Sequence, residues 1–167
     1  MADFHFISEA DAGNVVEGDI FEVTRGVIFH QTCCSGSLGD YGTALKTKFP
    51  LQFEVHDESL RKVGVNWDRM LGQARVGANG DIAIAHCFVR YGTEEANMAV
   101  VGEAIHNAAK SIRNTPLAQL PVYVPYRMGY HCGLGDWAQC QAILRRLFPK
   151  LTIVKLKPFA SFVGRAG

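Results

Sequence analysis

No stretch of this 167-residue chain is long and apolar enough to cross a bilayer, no run of like charge interrupts it, and no two of its five cysteines have C-x-x-C spacing. Each absence excludes something. A spanning helix needs roughly 20 consecutive apolar residues. The opening Met1-Ala2-Asp3-Phe4-His5 has neither the basic start nor the sustained apolar segment of a secretory signal. Seventeen Lys and Arg against 16 Asp and Glu leave a net charge of +1, without the basic track that a nucleic acid or an anionic membrane surface requires. An odd number of unpaired-looking cysteines argues against a disulfide framework and predicts a reducing compartment, the cytoplasm. Internal repeats, low-complexity tracts and linkers are also missing. What remains, at 48% hydrophobic and 20% charged, is composition for one globular domain over residues 1–167 that buries its core without staples.

The pattern along the chain alternates. Asn14 to Glu17 reads as a short strand ending at Gly18-Asp19, and Gly26 to Thr32 as a more continuously apolar strand suited to burial on both faces. Thr43 to Phe49 is helix-forming up to Pro50, and Leu51 to Val63 continues with apolar positions at Phe53, Val55, Leu60 and Val63 until Gly64. Met70 to Val76 and Asp81 to Phe88 flank Ala78-Asn79-Gly80, an Asn-Gly hairpin signal. Ala96, Val100, Val101, Ala104, Ile105, Ala108 and Ile112 form a helical stripe over 93–112, with Glu94 and Glu95 as first-turn acids after Thr93. Pro121 to Tyr126 reads as a buried strand, Asp136 to Phe148 as a helix and Thr152 to Leu156 as the last strand. Apart from the hairpin, this alternation predicts an α/β fold, a mixed sheet with helices on both sides and a ligand crevice at the carboxyl ends of the parallel strands.

Two glycine-rich turns stand where strands pass into helices. Gly129-Tyr130-His131-Cys132-Gly133-Leu134-Gly135-Asp136-Trp137 follows one apolar strand, and Ser35-Gly36-Ser37-Leu38-Gly39-Asp40-Tyr41-Gly42 follows another. Glycine permits positive φ and close backbone approach, and a helix N-terminus adds partial positive charge, so each turn suits a phosphate. Placed at one sheet edge, the pair would clamp a diphosphate.

Several side chains have both a chemical and a structural reading. Asp19 suits an adenine amino group and equally an N-cap for the turn Ile20 to Val23. Asp40, in mid-loop and away from any obvious helix start, is the better candidate to meet substrate and orient a water. Asp136, before an inward Trp137, reads as a helix cap. His30, Cys33 and Cys34 beside the first loop, His131 and Cys132 within the second and His86-Cys87 at the end of the hairpin strand are zinc-type ligands, but the cysteine spacing is not that of a structural site, and the pattern predicts no metal and no cofactor. A Cys34 or Cys132 nucleophile beside a histidine base stays open, because nothing singles out one thiol.

From about Asn14 to Leu156 the chain resembles a macrodomain, the ADP-ribose-binding α/β/α module, and its phage, bacterial and terminal ADP-ribose glycohydrolase branch in particular. Val16-Glu17-Gly18-Asp19-Ile20 is similar to the first-strand signature, in which the Asp reads the adenine amino group and the next amide lies close by. His30 to Leu45, with Gly36, Gly39, Gly42 and Thr43, followed by Lys46 to Pro50, resembles the first ligand loop and its helix. Pro125-Tyr126-Arg127-Met128-Gly129 running on to Trp137 resembles the diphosphate loop, and Phe88 to Gly92 falls where the family carries a third contact. The departures bear on mechanism. Cys33 replaces the Asn that touches the distal ribose, and it lacks the amide's two-way hydrogen bonding. Asp40-Tyr41 lengthens the loop, placing Tyr41 to close over the ribose or fill its space. Gly129-Tyr130-His131-Cys132 replaces a leaner loop start, and Gly133 falls near the glycohydrolase Asp.

The resemblance implies a three-layer domain that binds ADP-ribose, an ADP-ribosylated macromolecule or a related nucleotide. It also implies hydrolysis of a group on the distal ribose, the 1''-phosphate of ADP-ribose or an ADP-ribosyl ester, with Asp40 or His131 orienting water. Non-catalytic binding of a nucleotide signal is the alternative.

Overall fold

Residues that must bury on both faces lie in the middle of the sheet. The computed structural model describes residues 6–92, 96–130 and 134–156, whose six strands are ordered β1-β6-β5-β2-β4-β3. These are β1 (Val15–Gly18), β2 (Gly26–Cys33), β3 (Ala74–Asn79), β4 (Ile82–Arg90), β5 (Val122–Pro125) and β6 (Leu151–Leu156). Every residue of central β2 is buried, as the near-continuous apolar run requires. Five strands are mutually parallel, and only edge strand β3 runs antiparallel, against β4.

Period-two alternation sorts the strand side chains between two helical layers. Val27 and Phe29 of β2, Ala83, Ala85 and Cys87 of β4, and Val122 and Val124 of β5 pack on α3 (Met98–Ile112) and α5 (Leu134–Leu147). The opposite face, with Ile28, Ile84 and Tyr123, packs against Leu45 of α1 (Gly39–Lys48) and against Phe53, which stands just before α2 (Glu54–Val63). The result is the expected α/β/α sandwich.

Element boundaries moved in physically interpretable ways. Pro50 starts a 3-10 turn through Phe53 before α2 begins, so the 51–63 pattern is two helical pieces. Met70 closes another 3-10 turn, and the hairpin strand starts only at Ala74. Asn79 pairs with Ile82, which makes Gly80 and Asp81 the central turn residues instead of Asn79 and Gly80. Of the two, Gly80 alone has positive φ, at 60°, as in a II′ turn. Helix α3 begins at Met98 with Asn97 as its cap, the Asn97 side chain accepting from Ala99 N–H at 2.8 Å. Thr93, Glu94 and Glu95 lie outside the described residues.

Gln52 braces the hairpin. Its Nε2 donates to the carbonyls of Asn79 at 3.3 Å and Ile82 at 3.1 Å. A Cβ on Gly77 would lie 2.1 Å from the Gln52 carbonyl oxygen, so only glycine lets β3 pass this close.

Candidate functional site at the carboxyl edge of the sheet

Because β1, β2, β4, β5 and β6 are parallel, their carboxyl ends share one edge. Strands β2 and β5 are neighbours, yet the chain leaves β2 toward β4 and leaves β5 toward β6, in opposite directions. The gap between them is therefore the topological switch point, where ligands enter open α/β sheets. The loop after β2 and the turn after β5 flank it. Neighbouring strands lie about 4.8 Å apart, which puts Asp19, after β1, about 10 Å along the same edge from β5.

The first loop is held against the end of β4. Cys34 N–H donates to the Arg90 carbonyl at 2.7 Å and Ser35 N–H to that of Tyr91 at 2.9 Å. Gly36 and Gly39 take φ of 89° and 67°, the left-handed conformations for which the glycines were singled out. Helix α1 begins at Gly39, and Leu38 before it offers no side-chain cap. Its first-turn amides are thus not satisfied by a capping side chain, which is the condition that favours an anion.

The early start of α1 corrects the reading of Asp40. It is not a mid-loop acid but a first-turn helical residue, exposed and favourably placed on the macrodipole. Tyr41 turns inward: its hydroxyl donates to the Phe29 carbonyl at 3.0 Å, and its ring centroid lies 5.8 Å from that of Phe21. Burial raises its pKa. The hydroxyl is committed to the fold instead of closing over a ribose. Cys33 is buried, with Sγ 3.0 Å from the Ser37 carbonyl and 3.2 Å from Ser35 Oγ. Gly42 is a packing glycine, since a Cβ there would stand 2.9 Å from His30 Nε2, whereas Thr43 is exposed.

At the second turn, Tyr126 N–H donates to the Val154 carbonyl at 2.8 Å, and Arg127 and Met128 then take left-handed φ of 56° and 53°. Such conformations cost non-glycine residues roughly 1–2 kcal/mol each. Met128 is held there by burial in the α3/α5 layer. Gly129 and Tyr130 complete the single turn α4 (Arg127–Tyr130). His131, Cys132 and Gly133 lie outside the described residues, and α5 resumes at Leu134. Asp136 is therefore a first-turn residue, not the cap. Trp137 packs edge-on against Tyr126, with centroids 5.6 Å apart.

At the base end Asp19 is 7% exposed and caps the 3-10 turn Ile20–Glu22, its Oδ1 accepting from Phe21 N–H at 3.0 Å. Ile20 is fully buried. The structural reading of Asp19 holds, and its position on the ligand edge leaves the chemical one standing beside it.

Sequence reasoning missed two polar residues of β2 and α2. Gln31, 6% exposed, shares by alternation the β2 face of Val27 and Phe29, the side on which α4 and α5 pack. Among the described residues neither end of its amide has a hydrogen-bond partner. A buried amide in that condition costs about 1–3 kcal/mol. A polar run, His30-Gln31-Thr32, in the last positions of a wholly buried strand was the signal.

The other is His56, which joins His30 and His86 beneath the first loop. His30 and His86 are register partners on β2 and β4, both buried, with their Nδ1 atoms 2.9 Å apart. His86 Nε2 lies 2.8 Å from the Gln52 carbonyl and must donate to it. His56 Nδ1 lies 2.9 Å from Asp57 Oδ1, and its Nε2 3.0 Å from Thr32 Oγ1. Burial lowers the pKa of His56, an effect only partly offset by Asp57, and pushes His86 down to about 3. Burial opposes charge on Asp57 too, but hydrogen bonds from Lys46 and His56 outweigh it and hold its carboxyl below the usual range. Cys87, next to His86, points to the opposite face of the sheet, where burial pushes its thiol up to about 12. The described cysteines and the histidines therefore do not assemble the mixed site.

No family model and no curated sequence matches the chain. Solved structures do. The macrodomain of Mycobacterium tuberculosis DarG superposes with a TM-score of 0.62 at 18% identity, over 86% of this chain and 97% of that one. A macrodomain protein from Streptomyces coelicolor gives 0.63 at 17%, over 85% and 97%. Thermosipho africanus DarTG, solved in complex with ADP-ribose, gives 0.65 at 14%; 88% of this chain aligns with 42% of that longer protein. At such identities the likeness is one of fold.

Proposed function

From the premise of a macrodomain fold, we propose that the carboxyl edge of the sheet binds ADP-ribose or a close derivative, free or attached to a macromolecule. The observation that carries this is the emergence of both glycine-rich segments from adjacent parallel strands at the switch point. The diphosphate lies against the amides of the first loop, around Gly36 and Gly39, and against the turn opened by Gly129 and Tyr130. The start of α1 and the start of α5 at Leu134 aim their positive ends toward it. Asp19 accepts from the adenine amino group while it keeps its cap, and the Ile20 amide lies beside the base. Cys33 lies by the distal ribose, where its thiol supports fewer hydrogen bonds than an amide. Gln31, whose amide ends lack partners among the described residues, gains hydrogen bonds from the ligand's polar groups. The DarTG structure, solved in complex with ADP-ribose, supports the choice of ligand.

Calorimetric titration tests it. ADP-ribose gives a saturable one-to-one isotherm, and ribose 5-phosphate binds more weakly because it lacks the base and the second phosphate. No heat at millimolar ADP-ribose sinks the reading.

Hydrolysis at the distal ribose is a second reading, favoured by the exposed carboxylate of Asp40 on the first turn after the loop. There it orients a water toward the 1''-phosphate or the ADP-ribosyl ester, the phosphatase or ADP-ribosyl hydrolase reaction, with His131 as the other candidate base. Release of phosphate or ADP-ribose, lost in Asp40→Ala, supports it. Binding without turnover of either compound leaves a non-catalytic reader.

A further inference from the structure

Beneath the first loop, on the α1/α2 face of the sheet, three imidazoles converge. We propose that His30, His56 and His86 form a binding site for one divalent transition-metal ion of zinc type. Their candidate ligand atoms all lie within 4.8 Å of one another, and all three rings are buried. This departs from the sequence expectation of no metal, which rested on cysteine spacing. His56 was not in view there, and the site needs no thiolate.

The hydrogen bonds favour a ligand set over an ordinary core cluster. His86 spends its one proton on the Gln52 carbonyl, so its Nδ1 is an unprotonated donor atom turned toward His30. His56 spends its proton on the Asp57 carboxylate, so its Nε2 is likewise unprotonated, held by Thr32 Oγ1 at 3.0 Å. Two of the three rings, His86 and His56, are thus oriented by a carbonyl or carboxylate on the far nitrogen, as metal-bound histidines are. His30 moves its single proton from Nδ1 to Nε2, and three neutral rings then ligate without net loss of protons.

The distances need little adjustment. Metal–nitrogen bonds of about 2.0–2.1 Å in a tetrahedron put nitrogens about 3.3 Å apart. The His30–His86 pair at 2.9 Å opens slightly. His56 Nε2 moves inward from Thr32, and Thr32 Oγ1 or a water supplies the fourth position. An all-imidazole set suits zinc, copper, nickel or iron over calcium or magnesium. The Asp57 carboxylate, partly exposed on the first turn of α2, offsets part of the ion's charge.

Metal-stripped protein is titrated with cobalt(II) and then zinc(II). The expected result is one equivalent of cobalt with a tetrahedral visible spectrum free of thiolate charge transfer, displaced by zinc, and a higher Tm on adding one equivalent. His56→Gln loses the spectrum at least tenfold in affinity, while exposed His106→Ala keeps it. Wild-type protein alone decides if His56→Gln fails to fold. Less than a tenth of an equivalent bound, a thiolate band, or a spectrum surviving in folded His56→Gln each overturns the proposal.

Discussion

The Nδ1 atoms of His30 and His86 lie 2.9 Å apart, and only His30 supplies the proton between them, because the one proton of His86 is given to the Gln52 carbonyl. The pair is therefore neutral in the fold, which agrees with a His86 pKa pushed down to about 3 by burial. Unfolded, the same ring binds a proton below its ordinary 6.5. Between those values the unfolded chain holds the extra proton, so this contribution is complete above about pH 6.5 and shrinks as pH falls. The slope is about 1.4 kcal/mol per pH unit, or about 2 kcal/mol from pH 7 to pH 5 for His86 alone, and His56 adds in the same direction. Urea unfolding of chelator-treated protein at the two pH values measures it, and His86→Phe is expected to flatten the dependence. Equal midpoints at pH 7 and pH 5 in wild-type protein would exclude a neutral network.

Gly77 and Gly80 belong to one hairpin and answer differently to alanine. At Gly77 the added methyl meets the Gln52 carbonyl oxygen at 2.1 Å, a backbone atom with no room to retreat, whereas at Gly80 it meets nothing within 4 Å. Gly77→Ala therefore costs about 3 kcal/mol or more through overpacking and loss of the Gln52 brace. Gly80→Ala costs about 1–2 kcal/mol for its left-handed φ alone. Denaturant midpoints of the two variants give the ranking, and a reversed order would contradict the packing of β3 on Gln52.

Tyr41→Phe removes the hydroxyl from the Phe29 carbonyl and leaves the ring in place. The loss is about 1 kcal/mol of stability with ADP-ribose affinity unchanged. A tenfold weaker isotherm in a folded variant would return Tyr41 to the ligand.

That tyrosine shows what the sequence left hidden. The alternation of strand and helix patterns was enough to read the layers, the hairpin and a crevice at the carboxyl ends of the parallel strands, because burial periodicity is local. The start of α1 was not legible: Gly39 and Gly42 looked like loop, yet one serves a left-handed turn and the other makes room for His30. The mid-loop placement of Asp40 fails for the same reason, and the two readings of Tyr41 stay unresolved by sequence, since one residue of helix phase decides which faces solvent and which faces Phe29. His56 was invisible as a partner because its contacts with Thr32 and His86 cross from α2 to the sheet, and no spacing along the chain encodes that distance.

Asp19 has two roles that a single substitution separates. Asn caps a helix turn about as well as Asp, so Asp19→Asn keeps stability within about 0.5 kcal/mol, whereas Asp19→Ala loses about 1 kcal/mol with the cap. Both variants lose the charged acceptor for an adenine amino group, worth about 1.5–3 kcal/mol, or roughly 10- to 150-fold in Kd. Titration with ADP-ribose and with ribose 5-phosphate is the measurement. A loss shared equally by the base-free ligand would mean that Asp19 does not read adenine.

Gln31 sets function against stability. Both ends of its buried amide lack partners among the described residues, and a leucine of similar size removes that cost while it fills the space against the α3/α5 layer. Gln31→Leu is therefore expected to raise the unfolding free energy of the ligand-free protein by about 1 kcal/mol and to weaken ADP-ribose by about tenfold or more. The two measurements, a urea midpoint and a calorimetric Kd, move in opposite directions only if the amide is held ready for a ligand. A less stable variant with unchanged affinity would make Gln31 an ordinary part of the core.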